Sequence, residues 1–295
     1  MYCIKQAYYF IRYCFVSVFY YKFRLTHKLH ILSREDTVKK IINDRCSVSR
    51  YGDGEFGIIQ NNNSTFQDSN DKLAERLNQC LMSKCPDVLV CLPVSLMSDG
   101  KMNFTARRFW REYVFKNYNF LVKLPILNCY GDSLFTRFYM DRNDKQQTAK
   151  YVDFLKKIWN KRSLLIVEGD GSRLGVGNDL FNNAISIRRI LCPSVNAFEQ
   201  YDRIYTSVIT YCKENKDTLV LCALGMTATV LAYDIALWGG QAIDIGHVDI
   251  EYCWYKMNAR TKVAVPSKSV NECGLNNVPP LEDEEYKHQI ILEIK

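Results

Sequence analysis

Three short segments carry residue types that could do chemistry on a phosphorylated ligand. Arg50-Tyr51-Gly52-Asp53-Gly54-Glu55 sets two carboxylates two residues apart among glycines. Glycine lets a turn bring its backbone close to a ligand, and paired carboxylates suit a hard divalent cation whose other positions are filled by phosphate oxygens and water. Such an ion, Mn²⁺ or Mg²⁺ held by Asp53 and Glu55, would neutralise a diphosphate leaving group as a sugar bond breaks. Arg50 could add a charge-assisted bond to phosphate, and Gly52 a close backbone approach. Alone, such a tripeptide is more often a solvated surface turn; its place after an apolar run strengthens the functional reading.

The second segment runs from Gly169 to Asp179 (GDGSRLGVGND) and is expected to open a helix. Its N–H groups would then make an anion site shaped by Gly169, Gly175, Gly177 and Asn178, with Arg173 on the diphosphate. It is no dinucleotide fingerprint, because Leu174 stands where the third glycine belongs, and it lacks the Gly-Lys-Ser/Thr of a Walker A loop. The plainer alternative is a tight loop capped by Asn178 or Asp179. In the third segment, Asp244 to Tyr252, an extended chain would put Asp249 and Glu251 on the face of His247. A histidine beside carboxylates suits a metal ligand, a general base or a diphosphate contact. A structural histidine is the plainer reading. His27 and His30 lie in a basic terminal segment and are assigned no chemistry.

These segments need elements to hold them, and the chain alternates strands with helices. Apolar runs at Ser47–Tyr51, Val88–Leu92, Leu164–Glu168, Leu219–Ala223 and Ala242–Ile245 predict strands, the middle ones continuous enough to be buried on both faces. Helical stripes occur at Leu73, Leu77 and Leu81; at Tyr151, Phe154, Leu155 and Ile158; and from Ala228 to Trp238, ended by Gly239-Gly240. Four strand ends lead directly into polar, glycine-containing clusters. That is the pattern of a Rossmann-like, mostly parallel α/β sheet flanked by helices, with its ligand beyond the carboxyl ends of the strands.

Composition bounds the rest. With 295 residues, 47% hydrophobic and 24% charged, the chain can bury a sizeable core, which excludes disorder, collagen-like repeats and a multi-span membrane protein. The twelve cysteines form no CxxC pair, so they read as reduced thiols in a cytoplasmic setting. Residues 1–45 carry nine Lys or Arg against three acids, while the rest is near neutral, so the net charge of +7 is a terminal feature and not a nucleic-acid face. No acid occurs in the first 33 residues, which are crowded with aromatics. The longest uncharged stretch there, Tyr13 to Tyr21, is too short to span a bilayer, and no small-residue cleavage site follows it. This basic aromatic N-terminal extension (1–35) is expected either to touch the inner face of the cytoplasmic membrane or to pack on the fold. A catalytic domain is expected over 36–265, and after it a C-terminal segment over 266–295, made of a linker from Pro266 to Pro280 and an acidic tail over 281–295 that could be a helix or a strand.

Taken together, RYGDGEF, VEGDGSRLGVGNDLF with Ile190 and Pro193 after it, ALGMTATVLAYDIA and QAIDIGHVDIEY resemble the GT-D family of bacterial glycosyltransferases, long catalogued as a domain of unknown function. The resemblance covers about residues 36–265 in the family's order and spacing. It implies a Rossmann-like fold distinct from the commoner transferase folds, and sugar transfer from a UDP-sugar to a glycan acceptor in surface polysaccharide or glycoprotein synthesis. It also implies a DXE motif, here Asp53 and Glu55, serving the metal and donor diphosphate, with the glycine loop and the His247 segment lining the site. Met226 stands where the family often has proline, and Cys253 where an acid commonly precedes Trp254. If transfer inverts the anomeric centre, a carboxylate such as Asp249 would deprotonate the acceptor; a retaining enzyme needs no such base. A nucleotide-sugar hydrolase and a noncatalytic sugar-nucleotide-binding component of a glycan assembly complex are the rival expectations.

Overall fold

The computed structural model describes residues 2–64, 67–126, 129–274 and 278–295. Eight strands form one sheet: β1 Ser47–Arg50, β2 Val88–Leu92, β3 Gly131–Asp132, β4 Ser163–Gly169, β5 Ser186–Cys192, β6 Leu219–Ala223, β7 Gln241–Asp244 and β8 Ile290–Glu293. Their order is β3-β2-β1-β7-β6-β4-β5-β8, and every ladder between them is parallel. The described helices are α1 Tyr2–Thr26, α2 Arg34–Asp44, α3 Asp53–Ile59, α4 Asp71–Leu81, α5 Phe104–Lys116, α6 Tyr118–Leu121, α7 Thr148–Leu155, α8 Tyr201–Glu214, α9 Met226–Trp238, α10 Val248–Lys256 and α11 Glu284–Gln289.

The central strands are apolar throughout because both faces are covered. In β4, Leu164 and Ile166 join a core shared with Val38 of α2, Leu155 of α7 and Trp254 of α10. Leu165 and Val167 point the other way, against Ile204 of α8 and Leu231 of α9. β2 alternates likewise, sending Leu89 and Cys91 to the first core and Val90 and Leu92 to a third built with α3, α4 and α5. All five strands expected from the sequence are present, within two residues at their ends. β1 is followed outward by β2 and β3, whereas the chain returns through β6 and β7 to pair β7 with β1. This change of direction opens a crevice above the carboxyl ends of β1 and β7.

Three strands lacked a sequence signal. β3 has two residues, β8 is a short edge, and β5 (SIRRILC) carries two arginines. Arg189 is tolerated there, 2% exposed, because all three of its nitrogens bond: Nη1 to Glu168, Nη2 to the Leu174 carbonyl at 2.8 Å and Nε to Gln289 at 2.7 Å. The C-terminal region also differs from expectation. The Pro266–Pro280 segment is not a free linker: Ser269 N–H donates to the Gly171 carbonyl at 2.8 Å, and Arg173 ties down the Ser267 and Pro279 carbonyls. After it, the acidic tail forms α11 and then β8, which pairs with β5.

Helix α1 packs one face against α5. Val16, Tyr20 and Phe23 are fully buried; Tyr20 donates to the Ser95 carbonyl at 2.8 Å, and Arg12 pairs bidentately with Glu112. No helix among the described residues is long and apolar enough to cross a membrane.

Breaking a buried pair strands a charge, which costs about 3–5 kcal/mol. Arg189→Met should therefore lower the unfolding free energy by about that much in urea titrations followed by circular dichroism, and adding Glu168→Gln should restore part of it. A single-variant loss within the usual surface range of about 0.5 kcal/mol would contradict the role given to this pair.

Candidate active site

A cavity of about 740 Å³ lies over the carboxyl ends of β1, β7, β6 and β4. The DGE segment enters it as the first turn of α3, with Asp53 at the first helical position and Glu55 at the third. Positions two apart on a helix do not share a face, so this is not the turn expected to aim both acids alike. Both nonetheless line the cavity. Acids suit a helix N-terminus electrostatically, and Glu55 accepts from the Gly52 N–H at 2.7 Å. Burial, and then the nearby charge of Asp244, push the Glu55 carboxyl up to about 7. Asp53 stays exposed.

Arg50 lies beneath these acids. It donates from Nε and Nη2 to Asp244, and from Nη1 to the Ser133 carbonyl at 3.1 Å and Thr136 Oγ1 at 3.0 Å. The side chain expected to grip diphosphate is thus mostly occupied in joining β1, β7 and the loop after β3. Gly246, in the left-handed region at φ +44°, makes room for it: a Cβ there would overlap the guanidinium.

Corrections are larger in the glycine loop. Residues 170–185 form turns leading to β5, and no helix follows, so the loop offers no helix N-terminus to an anion. Gly169 lines the cavity; Arg173, Gly175, Gly177 and Asn178 do not. Arg173 is buried and directs two nitrogens at the 266–280 strap. Gly175, at φ +76°, packs where a Cβ would strike the Phe181 ring. Two helix starts without a side-chain cap open on the cavity, that of α9 at Leu224, Gly225 and Met226 and that of α10 at His247.

The third segment is not extended but begins α10, so its acids diverge. Asp249 is 2% exposed; Oδ1 accepts from Gly175 N–H at 2.9 Å and Asn178 Nδ2 at 2.8 Å, and Oδ2 pairs with Lys268. Asp249 thus lines the cavity while both its oxygens tie down the loop and strap, a positioning role that the sequence did not disclose. His247 remains at the cavity wall, its Nε2 2.5 Å from Glu272 Oε2. Burial pushes its pKa down, the Glu272 bond opposes this, and the charge of Arg137 depresses it further. Burial would raise Glu272, but His247 and Arg137 hold it well below the usual carboxylate range.

A family model for the glycosyltransferase GT-D fold matches residues 48–273, from β1 through Cys273. The chain belongs to the GT-D family. Among its relatives are Glycosyltransferase GlyD of Streptococcus pneumoniae serotype 4, 36% identical over 262 residues, and Probable glycosyl transferase Gly of Streptococcus gordonii, 33% identical over 270. These alignments take in 88% and 90% of this chain but 32% and 39% of the relatives, so the chain spans about a third of their length. A solved domain of unknown function 1792, described as having a distinct glycosyltransferase fold, superposes with a TM-score of 0.88 at 38% identity, over 94% of this chain and all of that one. A second, from Streptococcus sanguinis, gives 0.86 at 33%, over 91% of this chain and all of the other.

Within this GT-D site, Arg137, Lys262 and Glu272 had no expectation attached to them. Arg137 donates to Glu272 at 3.0 Å, Lys262 lies 3.7 Å from Asp141, and both line the cavity. The only sequence signal for Arg137 is the Gly131-Asp132 pair just before it, which is β3 itself, a strand too short to read. The apolar wall comes from Phe109 and Trp110 of α5 and from Met102 just before it.

Glu251, fully buried, accepts the Tyr139 and Met140 N–H groups at 2.7 and 2.9 Å and so pins the segment beside Arg137. Burial pushes its carboxyl up to about 7, against the charge of Arg137 and these two bonds. The folded chain thus keeps a proton that the unfolded chain, with an ordinary value of 4.5, releases. Stability from this group is full below that value and is lost as pH rises towards about 7. Glu251→Gln keeps the accepting oxygen, so the variant should gain on the parent by an amount on the order of 1–3 kcal/mol between pH 5 and 8 in denaturant titrations. A constant difference across that range would contradict the assignment.

Proposed function

We propose that this chain transfers a sugar from a UDP-sugar to a glycan acceptor in bacterial surface polysaccharide or glycoprotein synthesis, with Mn²⁺ or Mg²⁺ at Asp53 and Glu55. The observation that carries the reading is the meeting in one cavity of two α3 carboxylates, the cations Arg137 and Lys262, and the uncapped start of α9. Family membership and the relatives' names support sugar transfer as the reaction class.

The donor set fits a hard cation held jointly with substrate. Among the described residues no group of three or more His, Cys, Asp or Glu is placed to hold a metal alone. Two oxygen-donor carboxylates leave most of the shell to diphosphate oxygens and water, as Mg²⁺ and Mn²⁺ sites commonly do. When bound, the ion supplies charge neutralisation to the departing diphosphate. The chain's own groups do the rest. Arg137 and Lys262 attract the phosphates, the free N–H groups of α9 donate to phosphate oxygen, and the Phe109–Trp110 wall excludes water. The sugar C1–O bond to the β-phosphate breaks with its electron pair going to that oxygen. The acceptor oxygen bonds to C1, and its proton passes to the oxygen of the departing diphosphate.

Calorimetry with UDP is expected to give binding that depends on Mn²⁺ and that weakens about ten-fold or more in Asp53→Asn and Glu55→Gln. Equal UDP binding with and without metal, or no effect of either substitution, would overturn the metal assignment. Sugar release from UDP-sugar that is as fast without glycan acceptor as with it would favour the hydrolase.

A further inference from the structure

The inner face of α1 is used up by α5; its outer face is not. Phe10, Cys14, Val18, Tyr21 and Leu25 recur at spacings of four, four, three and four, which aligns them on one side of the helix. Phe10 is 68% exposed, Val18 65% and Leu25 75%, and Ile11 and Phe15 flank the stripe at 66% and 53%. A helix buried on one side only should be polar on the other, so a continuous exposed apolar stripe marks a surface awaiting a partner.

Charge identifies the partner. Lys22 and Lys28 are exposed beside the stripe, and Arg24 lies against the Tyr20 and Tyr21 rings, 5.6 and 5.7 Å from their centroids. The helix contributes no acid to offset them. At its C-terminal end, Tyr21, Arg24, Leu25, Lys28, Leu29 and Met97 line a second cavity of about 370 Å³. Two cations over apolar side chains suit a headgroup phosphate above acyl carbons. A second copy of the same face would instead bring like charges together.

We propose that the outer face of α1, with the Arg24–Lys28 groove at its end, docks on an anionic lipid bilayer. The helix lies in the interface with its stripe in the acyl boundary and its cations at the phosphates. Only α5 separates this surface from the catalytic cavity, since Trp110 lines the cavity while Glu112 and Arg111 hold α1 through Arg12 and Ser17. A glycan acceptor carried on a membrane lipid would thus be presented beside the cleft. The docking does not depend on the chemistry assigned to that cleft.

Flotation of the full chain with phosphatidylcholine vesicles, with and without phosphatidylglycerol, tests this. The chain should bind the anionic vesicles at least about ten-fold better, and added salt should weaken the binding. Val18→Asp with Leu25→Asp should abolish binding, and Arg24→Glu with Lys28→Glu should abolish the preference for anionic lipid. UDP binding, read on the same samples, should stay unchanged, and so should the thermal melting of the Val18→Asp, Leu25→Asp variant, whose side chains face outward. Failure to bind either vesicle, or binding indifferent to both double variants, overturns the proposal. So does a dimer in sedimentation that Val18→Asp dissociates while vesicle binding is absent, which would make the stripe a subunit contact.

Discussion

The site depends on one ion pair at the point where the sheet changes direction. Arg50 closes β1 and Asp244 closes β7, and the guanidinium meets the carboxylate at 2.8 Å with Asp244 almost wholly buried. Burial alone would neutralise Asp244, and its pKa is indeed pushed up, with Arg50 and Thr229 pulling against the shift. Without Arg50, Asp244 would be a buried carboxylate with no cationic partner, close enough to Glu55 to raise it further. With it, Asp244 becomes a strut, and the two α3 acids are left facing the cavity. The same guanidinium fixes the loop after β3 through Ser133 and Thr136, which sets the approach of Arg137.

A second set of paired charges turns the C-terminal segment into part of the site. Lys268 reaches Asp249, Arg173 reaches two strap carbonyls, and Glu272 bridges His247 and Arg137. The Lys268–Asp249 charges are so deeply buried that they persist only as a pair, whereas the Glu272 bridges lie partly exposed at the rim, and each joins distant parts of the chain. The segment is rich in proline and polar residues because it runs irregularly over a rim, not because it is free.

Fold and site differed in how far the sequence disclosed them. The parallel core was legible because β4, β6 and β7 are buried on both faces, which leaves continuous apolar runs ended by glycine. β5 was hidden because Arg189 looks solvated until Glu168 is placed beside it. Asp53 and Glu55 were legible from type and position. The roles of Arg50, Arg173 and Asp249 were not, since a charged residue near a ligand loop reads the same whether it meets phosphate or a backbone carbonyl. His247, Asp249 and Glu251 were read on an extended period; the helix that begins at Val248 sends them to three different partners.

The central claim is that Asp53 and Glu55 hold a metal only together with the donor's diphosphate. Anomalous scattering at the manganese edge, from crystals grown with Mn²⁺ and with or without UDP, tests it most directly. The account predicts one strong peak between the two carboxylates and the diphosphate, absent when UDP is omitted. UDP bound with no manganese beside α3, or manganese seated at His247 and Glu272, would contradict it.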